Sequence, residues 1–517
     1  MKIPIIDFLD SEGLEAEIIY DGTNFSHVVP RAGLVNDGSL MSPRLERCIP
    51  YLNDKERIIH PLKRNGDTFV EISFSEAFDA IEVAMRRVQP NENAFFAGAR
   101  LSNEALYLIQ KLARAGVKSN NIGSFHYLGR NAEHYNIDKN DNVQFSELDG
   151  CSSIVLMGTA LKEAQGLVWQ TIQEIQKNHI PIFAVVASPH AAACDNFSKK
   201  IPTDSYYHFV KALNHYILAN NLQQGIFVEA LAVPILQYKE QLLSEDFEYL
   251  LEKAAVSVSE VADFVEFYMQ EKRCVIVYSE QEISSHTARE LLNLCLLTGK
   301  NGFPSSGVLA LKEKNNAQGL FDMGISPRFG VGGRSFTEPF VELLKKVWNV
   351  PDVATEEIDN EEYLYSGKSK NLFIFGEDPL GCIMPNTESK SLLDKAQFIV
   401  VQDYFLTETA LKADIILPDT FPFETGGSFT NTIKIVQPFF KILPPPVALD
   451  HLQQLSSLCQ RFGLSPCATL DEIFMELISF LKIECSGGAR HRFVYTEKDS
   501  GKSRFVAGCD DLMRKCI

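Results

Sequence analysis

The chain has 517 residues, of which 45% are hydrophobic and 22% are charged, and its formal net charge is -18. This composition is ordinary for a globular protein, and the length allows about two to four domains. The negative charge argues against binding to nucleic acid or to anionic membranes, because both require a basic surface. The sequence contains neither an apolar run of roughly 20 residues nor a secretory signal pattern, so we expect a cytoplasmic protein without membrane insertion.

Eleven cysteines are spread along the chain without a CxxC or CxxxC pair. Zinc sites and ferredoxin-type clusters usually take their ligands from such closely spaced pairs. We therefore interpret most of these cysteines as buried free thiols, which pack as small hydrophobic side chains.

The first elements in chain order are a short strand over residues 16–20 and an amphipathic helix over residues 69–88. The helix is predicted because apolar residues recur at helical spacing. A buried strand over residues 94–99 follows, and a glycine turn leads from it into a helix over residues 103–115. This order of elements is typical of an α/β domain.

The middle of the chain predicts a βαβ unit, with strands over residues 153–158 and 180–187 and a helix over residues 161–177. The N-terminus of this helix is suited to phosphate binding. The glycine-rich segment 329–334 is predicted to be a flexible loop, since it does not follow a strand. Further helices and strands are predicted over residues 206–220, 244–270, 274–278, 284–297 and 371–375.

The last predicted strands lie on either side of a polar loop. A buried strand over residues 398–401 is followed directly by Gln402 and Asp403. Open α/β sheets place their ligand-binding loops at this position. Thr407 is the predicted N-cap of a short helix, and a second strand follows over residues 414–418.

Residues 402–431 read QDxFxTETAxxADxxLPxxxxxExxGxFxN, which resembles a signature of the molybdopterin oxidoreductase superfamily. That superfamily includes formate dehydrogenases and the large subunit of the NADH-dehydrogenase module of complex I. The resemblance extends from about residue 15 to residue 464, and it implies three-layer αβα domains of the α/β class. Similar landmarks occur in the family's order at residues 51–64, 98–104, 111–114, 298–308, 311–324 and 376–379.

The resemblance also implies a domain organisation. Residues 1–55 would form a small β domain that resembles a degenerate iron–sulfur domain. A discontinuous first α/β domain would combine residues 56–125 with 335–464, and residues 126–334 would form the second. Residues 465–517 would be a C-terminal tail, in place of the β-barrel that covers the cofactor in active relatives.

Several positions depart from what the resemblance implies for an active enzyme. The last cysteine of the iron–sulfur cluster would fall near Met41, and the lysine that passes electrons to the pterin falls at Pro43. The metal-binding cysteine or selenocysteine and the histidine after it fall at Gly129 and Arg130. We therefore predict no iron–sulfur cluster, no metal ligand and no catalytic residue in this chain. Two nearby loop histidines, predicted to face solvent, are His126 and His134.

The nucleotide-recognition positions are also altered. Relatives carry Gly-x-Asn and Asp-Pro-Arg after two strands, where this chain has GTA at residues 158–160 and SPH at residues 188–190. The arginine that assists formate oxidation falls at Lys312, which keeps the charge but loses the bidentate fork. The retained positions, which are vestigial or contact a pterin nucleotide, are Gly376, Glu377, Asp378, Pro379, Gln402, Asp403, Thr407, Gly299 and Gly302.

Taken together, these losses favour a non-catalytic, cofactor-degenerate subunit of an NAD(P)H-linked flavin and iron–sulfur electron-transfer complex. Such a subunit resembles the large subunit of the complex I module, carries no cofactor and has flavin and iron–sulfur proteins as partners. A formate dehydrogenase-like oxidoreductase that still binds a molybdopterin guanine dinucleotide is the alternative. A pterin-binding or maturation factor is a second alternative.

Overall fold

The computed structural model describes residues 1–127, 142–159, 161, 165–189, 197, 199–224, 235–382, 392–467 and 469–481. The strands are β1 (Lys2–Ile6), β2 (Glu15–Tyr20), β3 (Phe25–Pro30), β4 (Leu62–Asn65), β5 (Thr68–Glu71), β6 (Asn93–Ala97), β7 (Ile122–Gly123), β8 (Ser153–Met157), β9 (Ile182–Ala187), β10 (Lys199–Thr203), β11 (Cys274–Ser279), β12 (Gly307–Leu311), β13 (Phe329–Gly330), β14 (Arg334–Ser335), β15 (Asn371–Phe375), β16 (Phe398–Asp403), β17 (Ile415–Pro418), β18 (Gly427–Thr430) and β19 (Val436–Phe439). The α-helices are Pro43–Glu46, Ile49–Leu52, Phe74–Arg87, Asn103–Lys111, Gly166–Lys177, Tyr206–Ala219, Ile235–Leu243, Phe247–Ala254, Val258–Gln270, Ser285–Leu297, Ala317–Asp322, Glu338–Trp348, Asn360–Tyr365, Pro379–Cys382, Pro422–Thr425, His451–Arg461 and Leu470–Leu481.

The larger sheet has seven strands in the order β5-β4-β17-β16-β15-β6-β7. Strands β17 to β7 run parallel, and the β4–β5 hairpin joins the β17 edge in the antiparallel sense. Successive side chains of a strand point to opposite faces, so Phe95 packs in one hydrophobic core and Phe96 in another. Helices therefore cover both faces, with Asn103–Lys111 on the first and Asn360–Tyr365 on the second.

The second sheet is fully parallel and has the order β10-β9-β8-β11-β12. Its strands alternate in the same way, since Val155 and Leu156 belong to cores on opposite faces. Helices Tyr206–Ala219 and Ser285–Leu297 cover the first face, and Gly166–Lys177 covers the other. Parallel strands buried on both faces are characteristic of α/β proteins. The predicted α/β class with three-layer regions is confirmed.

Strands β1, β2 and β3 form a separate antiparallel sheet near the N-terminus. Ile3 and Ile18 of this sheet share a hydrophobic core with Phe421 and Phe429. The N-terminal sheet therefore rests on the segment that contains the predicted signature. The domain boundaries remain predictions.

Two predicted elements differ in the structure. The helix expected over residues 69–88 begins at Phe74, because residues 68–71 pair with β4 as strand β5. Ser73 caps this helix, since its hydroxyl accepts from the Glu76 amide at 3.2 Å. The helix expected over residues 244–270 is interrupted at Ala255, whose φ of 54° is left-handed and ends the helix Phe247–Ala254.

Further differences concern short segments. Residues 329–334, predicted to be a flexible loop, form the β13–β14 hairpin, and Gly332 and Gly333 supply the positive φ of its turn. The short helix predicted after Thr407 is a single 3-10 turn at residues 410–412. The Thr407 hydroxyl nevertheless accepts from the Ala410 amide at 3.2 Å, as an N-cap does.

The prediction of buried free thiols is confirmed for the cysteines whose side chains are described, which are Cys48, Cys151, Cys274, Cys295, Cys459 and Cys467. Within the described ranges, no helix combines the length and apolar character needed to cross a bilayer.

Candidate functional site

The candidate site lies where the strands of the two parallel sheets reach their carboxyl ends. Glu280 and Lys312 follow β11 and β12, while Gly376 follows β15. His126 follows β7 of the larger sheet, and its Nε2 lies 3.1 Å from Oε1 of Glu280 in the smaller sheet. The two strand-end edges therefore face each other. Open α/β sheets bind their ligands at this edge.

Two strand-end loops of the larger sheet approach so closely that a side chain would not fit. The Gly98 amide donates to the Phe375 carbonyl at 2.8 Å, and a Cβ on Gly98 would overlap the Gly376 carbonyl oxygen. Gly376 has a φ of 60° and donates its amide to the Gln402 carbonyl at 3.0 Å. The predicted site residue Gly376 thus joins the loops that follow β6, β15 and β16.

The half-buried Glu377 binds the segment that follows β7 through its carboxylate. It accepts hydrogen bonds from the Phe125 amide at 3.1 Å and the His126 amide at 3.0 Å, and also from the Ser124 hydroxyl at 3.1 Å. Burial raises the pKa of Glu377 to about 7, although the hydrogen bonds and the charge of Lys314 act in the opposite direction. An internal carboxylate therefore occupies two backbone donors of the site.

Asp378 and Pro379 fix the next part of the same loop. Oδ1 of Asp378 accepts from the Thr409 amide at 3.0 Å, the Thr409 hydroxyl at 2.5 Å and the Gly381 amide at 2.9 Å. Pro379 is the first residue of the helix Pro379–Cys382. Asp378 thus holds the β15 loop against the loop that follows β16.

Gln402 and Asp403 end strand β16 and have separate partners. Asp403 accepts from Nη2 of Arg100 at 2.6 Å and from the Thr407 hydroxyl at 3.2 Å. Burial raises the pKa of Asp403, although the charge of the adjacent Arg100 guanidinium acts in the opposite direction. Nε2 of Gln402 donates to Gln454 at 2.8 Å, while its buried Oε1 has no hydrogen-bond partner among the described residues.

A buried ionic network lies beside this edge and was not predicted. Arg57 binds Glu424 through two hydrogen bonds, at 2.7 and 2.5 Å, and its guanidinium lies 4.2 Å from the Phe421 ring centre. Asp419 lies 3.1 Å from Nδ1 of His451. Burial disfavours the charged forms of both Asp419 and His451. The hydrogen bond and the attraction between the two side chains nevertheless lower the pKa of Asp419 and raise that of His451. This network stabilises the loop that follows β17.

A second internal carboxylate occupies the strand end of β8. Glu282 accepts from the Thr159 amide at 2.8 and 3.0 Å, and from the Thr159 hydroxyl at 2.8 Å. The Tyr206 hydroxyl donates to the same carboxylate at 3.3 Å. Gly158 has a φ of 95°, and a Cβ at this position would overlap the Glu282 carboxylate. The donors that follow β8 thus face a side chain of the chain itself.

A third internal carboxylate meets the helix Gly166–Lys177. Glu12 accepts from the backbone amides of Leu167 and Val168, at 3.0 and 2.9 Å. Burial raises the pKa of Glu12 to about 8 even though these two hydrogen bonds lower it. The helix N-terminus for which phosphate binding was predicted therefore receives a carboxylate from the N-terminal region.

His126, Glu280 and Glu313 come together at the boundary between the two sheets. Their potential metal-ligand atoms all lie within 4.8 Å of one another. The exposed fractions of these residues are 2%, 8% and 5%, respectively. The prediction that His126 faces solvent is therefore wrong, because Glu280 provides a buried partner for the imidazole.

Lys312 is buried next to this cluster. Its Nζ donates to the Ala310 carbonyl at 3.3 Å. Burial, together with the charge of Lys434, lowers the pKa of Lys312 to about 8, although Glu280 and Asp322 act in the opposite direction. The position that matches the arginine of formate-oxidising relatives thus carries a desolvated amine.

Two predicted site residues lie elsewhere. Gly299 and Gly302 belong to the turn before β12, which places them at the amino-terminal edge of the smaller sheet rather than at its carboxyl-terminal edge. Both have positive φ values, 66° and 77°, that favour glycine. Gly129, Arg130 and His134 lie outside the described residues.

Sequence reasoning did not identify Glu280, Glu282 and Glu313 as site residues. A signal was available for two of them, since Glu280 directly follows β11 and Glu313 comes two residues after β12. Polar residues in these positions lie at the edge where α/β sheets bind ligands. Their partners could not be read in the same way, because they come from distant parts of the chain.

Comparisons with known proteins agree with this architecture. The family model for molybdopterin oxidoreductases matches residues 57–449. The chain is 27% identical over 449 residues to the F420-dependent formate dehydrogenase 2 subunit alpha of Methanococcus maripaludis. The aligned segment covers 83% of this chain and 66% of that protein. It is 29% identical over 425 residues to a putative formate dehydrogenase of Staphylococcus haemolyticus, and this alignment covers 76% of this chain and 42% of that protein.

The chain therefore spans less than two thirds of the length of both relatives. The acetylene hydratase of Pelobacter acetylenicus has a similar fold, with a TM-score of 0.67 over 93% of this chain and 71% of that chain. The sequence identity of 16% limits this likeness to the fold. The family model, in contrast, matches most of the sequence and includes the strand-end loops of both sheets. The chain belongs to the molybdopterin oxidoreductase family.

Proposed function

We propose that this chain is a non-catalytic subunit of an NAD(P)H-linked electron-transfer complex, in which its molybdopterin-type regions serve as a scaffold. The observation that carries this proposal is the occupation of strand-end donors by the chain's own carboxylates. Glu377, Glu282 and Glu12 each accept hydrogen bonds from backbone amides. These amides lie near strand ends or a helix N-terminus, where α/β folds commonly bind nucleotides. Occupation of these donors by the chain's own side chains supports the scaffold role.

Membership of the family implies a molybdopterin cofactor, so the donor set has to be compared with that group. The pyrophosphate of a pterin guanine dinucleotide is an anion, and anions bind to backbone amides and helix N-termini. At Thr159 and at Leu167 the amides already contact carboxylates. A phosphate could reach the same amides only by displacing the side chains of Glu282 and Glu12. The described residues at these two places do not fit the pyrophosphate.

The side chains that follow the strands support the same proposal. Relatives use asparagine, aspartate and arginine after two strands of the smaller sheet, and this chain has Thr159 in the first of these segments. The Thr159 hydroxyl donates to Glu282. Directional hydrogen bonds from amide and guanidinium groups distinguish one nucleotide from another. Their replacement supports loss of nucleotide recognition.

The proposed partners are flavin and iron–sulfur proteins of the same complex. A relative from Methanococcus maripaludis is named as a subunit alpha, which makes assembly with other subunits a reasonable proposal for this chain too. A scaffold without redox groups of its own requires partners that carry the electrons. The surface of this subunit would then bind those partners and fix their relative positions.

A second candidate function is a formate dehydrogenase-like oxidoreductase that retains a pterin guanine dinucleotide. It is favoured by Gln402, whose buried Oε1 accepts no hydrogen bond among the described residues. A buried polar atom without a partner is costly, and a ligand amino group could satisfy it. Asp378 and Asp403, in contrast, are fully engaged in loop contacts. A pterin-binding or maturation factor is a third candidate.

The test is a metal and pterin analysis of the protein purified from its native host, with the co-purifying subunits identified by mass spectrometry. If the chain is a scaffold, we expect no molybdenum, tungsten or pterin bound to it. We also expect flavin and iron–sulfur proteins among the co-purifying subunits. Stoichiometric metal and pterin would contradict it and support the oxidoreductase. Pterin without metal, in a protein that purifies without redox partners, would support the maturation factor instead.

A further inference from the structure

We propose that His126, Glu280 and Glu313 form a site in which their side chains coordinate a divalent transition-metal ion such as Zn²⁺. Each residue offers one ligand atom, and these atoms lie within 4.8 Å of one another. The site is independent of pterin, so it differs in kind from a molybdenum centre. It goes beyond the scaffold role and does not rest on it.

The spacing of the donors suits a metal ion. Zn²⁺ binds imidazole nitrogen and carboxylate oxygen at about 2.0–2.2 Å, so neighbouring ligand atoms in a tetrahedral site lie about 3.3 Å apart. Nε2 of His126 and Oε1 of Glu280 are already 3.1 Å apart. The terminal torsion of a glutamate has a broad range, so rotation of the Glu280 and Glu313 carboxylates can shorten the remaining distances.

The chemistry of the three side chains restricts the choice of metal. An imidazole with two carboxylates is a nitrogen and oxygen set, which suits zinc, iron and manganese in their divalent states. Magnesium and calcium prefer sites made only of oxygen ligands. The two carboxylates would also neutralise a divalent charge. We therefore infer a first-row transition metal or zinc rather than a hard alkaline-earth ion.

The burial of the cluster favours a bound cation. Glu280 and Glu313 are both less than a tenth exposed, and buried carboxylates are costly unless they are paired or bind a metal. A divalent ion among the three donors would be held by both of these buried carboxylates.

Contacts around the cluster hold the donors in place. The Glu313 amide donates to Oε1 of Glu280 at 2.6 Å, and the Glu280 amide donates to the Leu311 carbonyl at 3.0 Å. Glu377 accepts from the His126 amide at 3.0 Å and fixes that loop. Such outer contacts orient metal ligands and tune their affinity. The three ligands thus come from loops that are anchored to both sheets.

The experiment is a Zn²⁺ titration of the full chain after chelator treatment, in the complex with its co-purifying subunits, followed by isothermal calorimetry. We expect one high-affinity equivalent that depends on this chain. The variants His126→Gln, Glu280→Gln and Glu313→Gln should each weaken Zn²⁺ binding at least tenfold. His60→Gln is the matched control, because His60 is exposed in a turn and should leave the affinity unchanged.

A spectroscopic measurement keeps the test independent of variant folding. Co²⁺ bound to the wild-type protein should show the visible absorption of a low-symmetry nitrogen and oxygen site, and Zn²⁺ should displace it. Wild-type protein that binds no Zn²⁺ would overturn the proposal. So would Zn²⁺ binding that all three folded variants retain, since the ion would then be bound elsewhere. Molybdenum and pterin content is measured separately, so the scaffold proposal can fail or survive on its own.

Discussion

The carboxylate of Glu282 accepts hydrogen bonds from both the backbone amide and the hydroxyl of Thr159, at distances of 2.8 to 3.0 Å. These residues are 123 positions apart in the sequence and lie at the carboxyl ends of adjacent strands. The contact satisfies donors that follow β8. A side chain of the protein therefore occupies these donors at the edge where open α/β sheets bind ligands.

Replacement of Glu282 by alanine should destabilise the protein moderately. The Thr159 amide and hydroxyl would lose their acceptor, which costs about 1–2 kcal/mol where water can partly replace it. Because Glu282 is half-buried, we expect the lower end of this range. The measurement is the melting temperature at a fixed scan rate, with exposed Glu252→Ala as control. A melting temperature equal to that of the wild type would show that the contact contributes nothing.

Replacement of Arg57 by lysine should be more damaging than the same change at Arg328. The Arg57 side chain is 10% exposed and binds Glu424 through both terminal guanidinium nitrogens, a geometry that lysine cannot reproduce. Removal of one partner from a buried ion pair typically costs about 3–5 kcal/mol of stability. Lysine keeps the positive charge, so Arg57→Lys should cost less than complete removal of the pair. The Arg328–Glu357 pair is exposed, and such pairs contribute about 0–1 kcal/mol.

Thermal unfolding of the two variants, Arg57→Lys and Arg328→Lys, provides the comparison. We expect a clear fall in melting temperature for the first and a change near the experimental error for the second. Equal effects of the two substitutions would mean that burial and bidentate geometry at Arg57 do not determine the stability of the loop that follows β17.

The raised pKa of Glu377 predicts a specific dependence of stability on pH. The folded protein keeps this proton up to about pH 7, whereas the unfolded chain releases it near pH 4.5, the ordinary pKa of a glutamate. Between these values the folded state binds more protons, so the free energy of unfolding falls as the pH rises. The slope from one such group is at most about 1.4 kcal/mol per pH unit.

The variant Glu377→Gln should remove this contribution, because glutamine does not titrate. Urea unfolding at several values between pH 5 and pH 8 measures the slope, and the wild type should lose more stability over this window than the variant. Glu357→Gln, at an exposed position, serves as the control. Parallel curves for the wild type and Glu377→Gln would contradict the assignment of the proton to this residue.

Substitution of Gly98 by alanine should be far more destabilising than substitution of Gly166. A Cβ on Gly98 would overlap the Gly376 carbonyl oxygen, and backbone shifts of this kind cost about 1–3 kcal/mol or more. A Cβ on Gly166 would meet its nearest neighbour, Leu40, at 3.9 Å, in a helix that alanine favours by up to about 1 kcal/mol. Circular dichroism melts of both variants measure the difference, and similar melting temperatures would contradict the close approach of the two loops.

The sequence by itself determined the α/β class, most strands and the family. Each buried strand is a short local run of apolar residues, and the signature from Gln402 to Asn431 keeps the family's residue types in order. Local periodicity encodes such elements because neighbouring residues set the backbone. The helix start at Phe74 escaped prediction, since residues 68–71 became a strand only by pairing with β4.

The tertiary structure alone decided what the polar residues do. Glu377 was predicted to be vestigial or to contact a pterin nucleotide, and its carboxylate binds the Phe125 and His126 amides from more than 250 positions away. His126 was expected in solvent and is buried beside Glu280. The partner of a side chain depends on which distant loops the sheets bring together. No local pattern contains that information, because the contact exists only when both sheets are folded and their strand ends face each other.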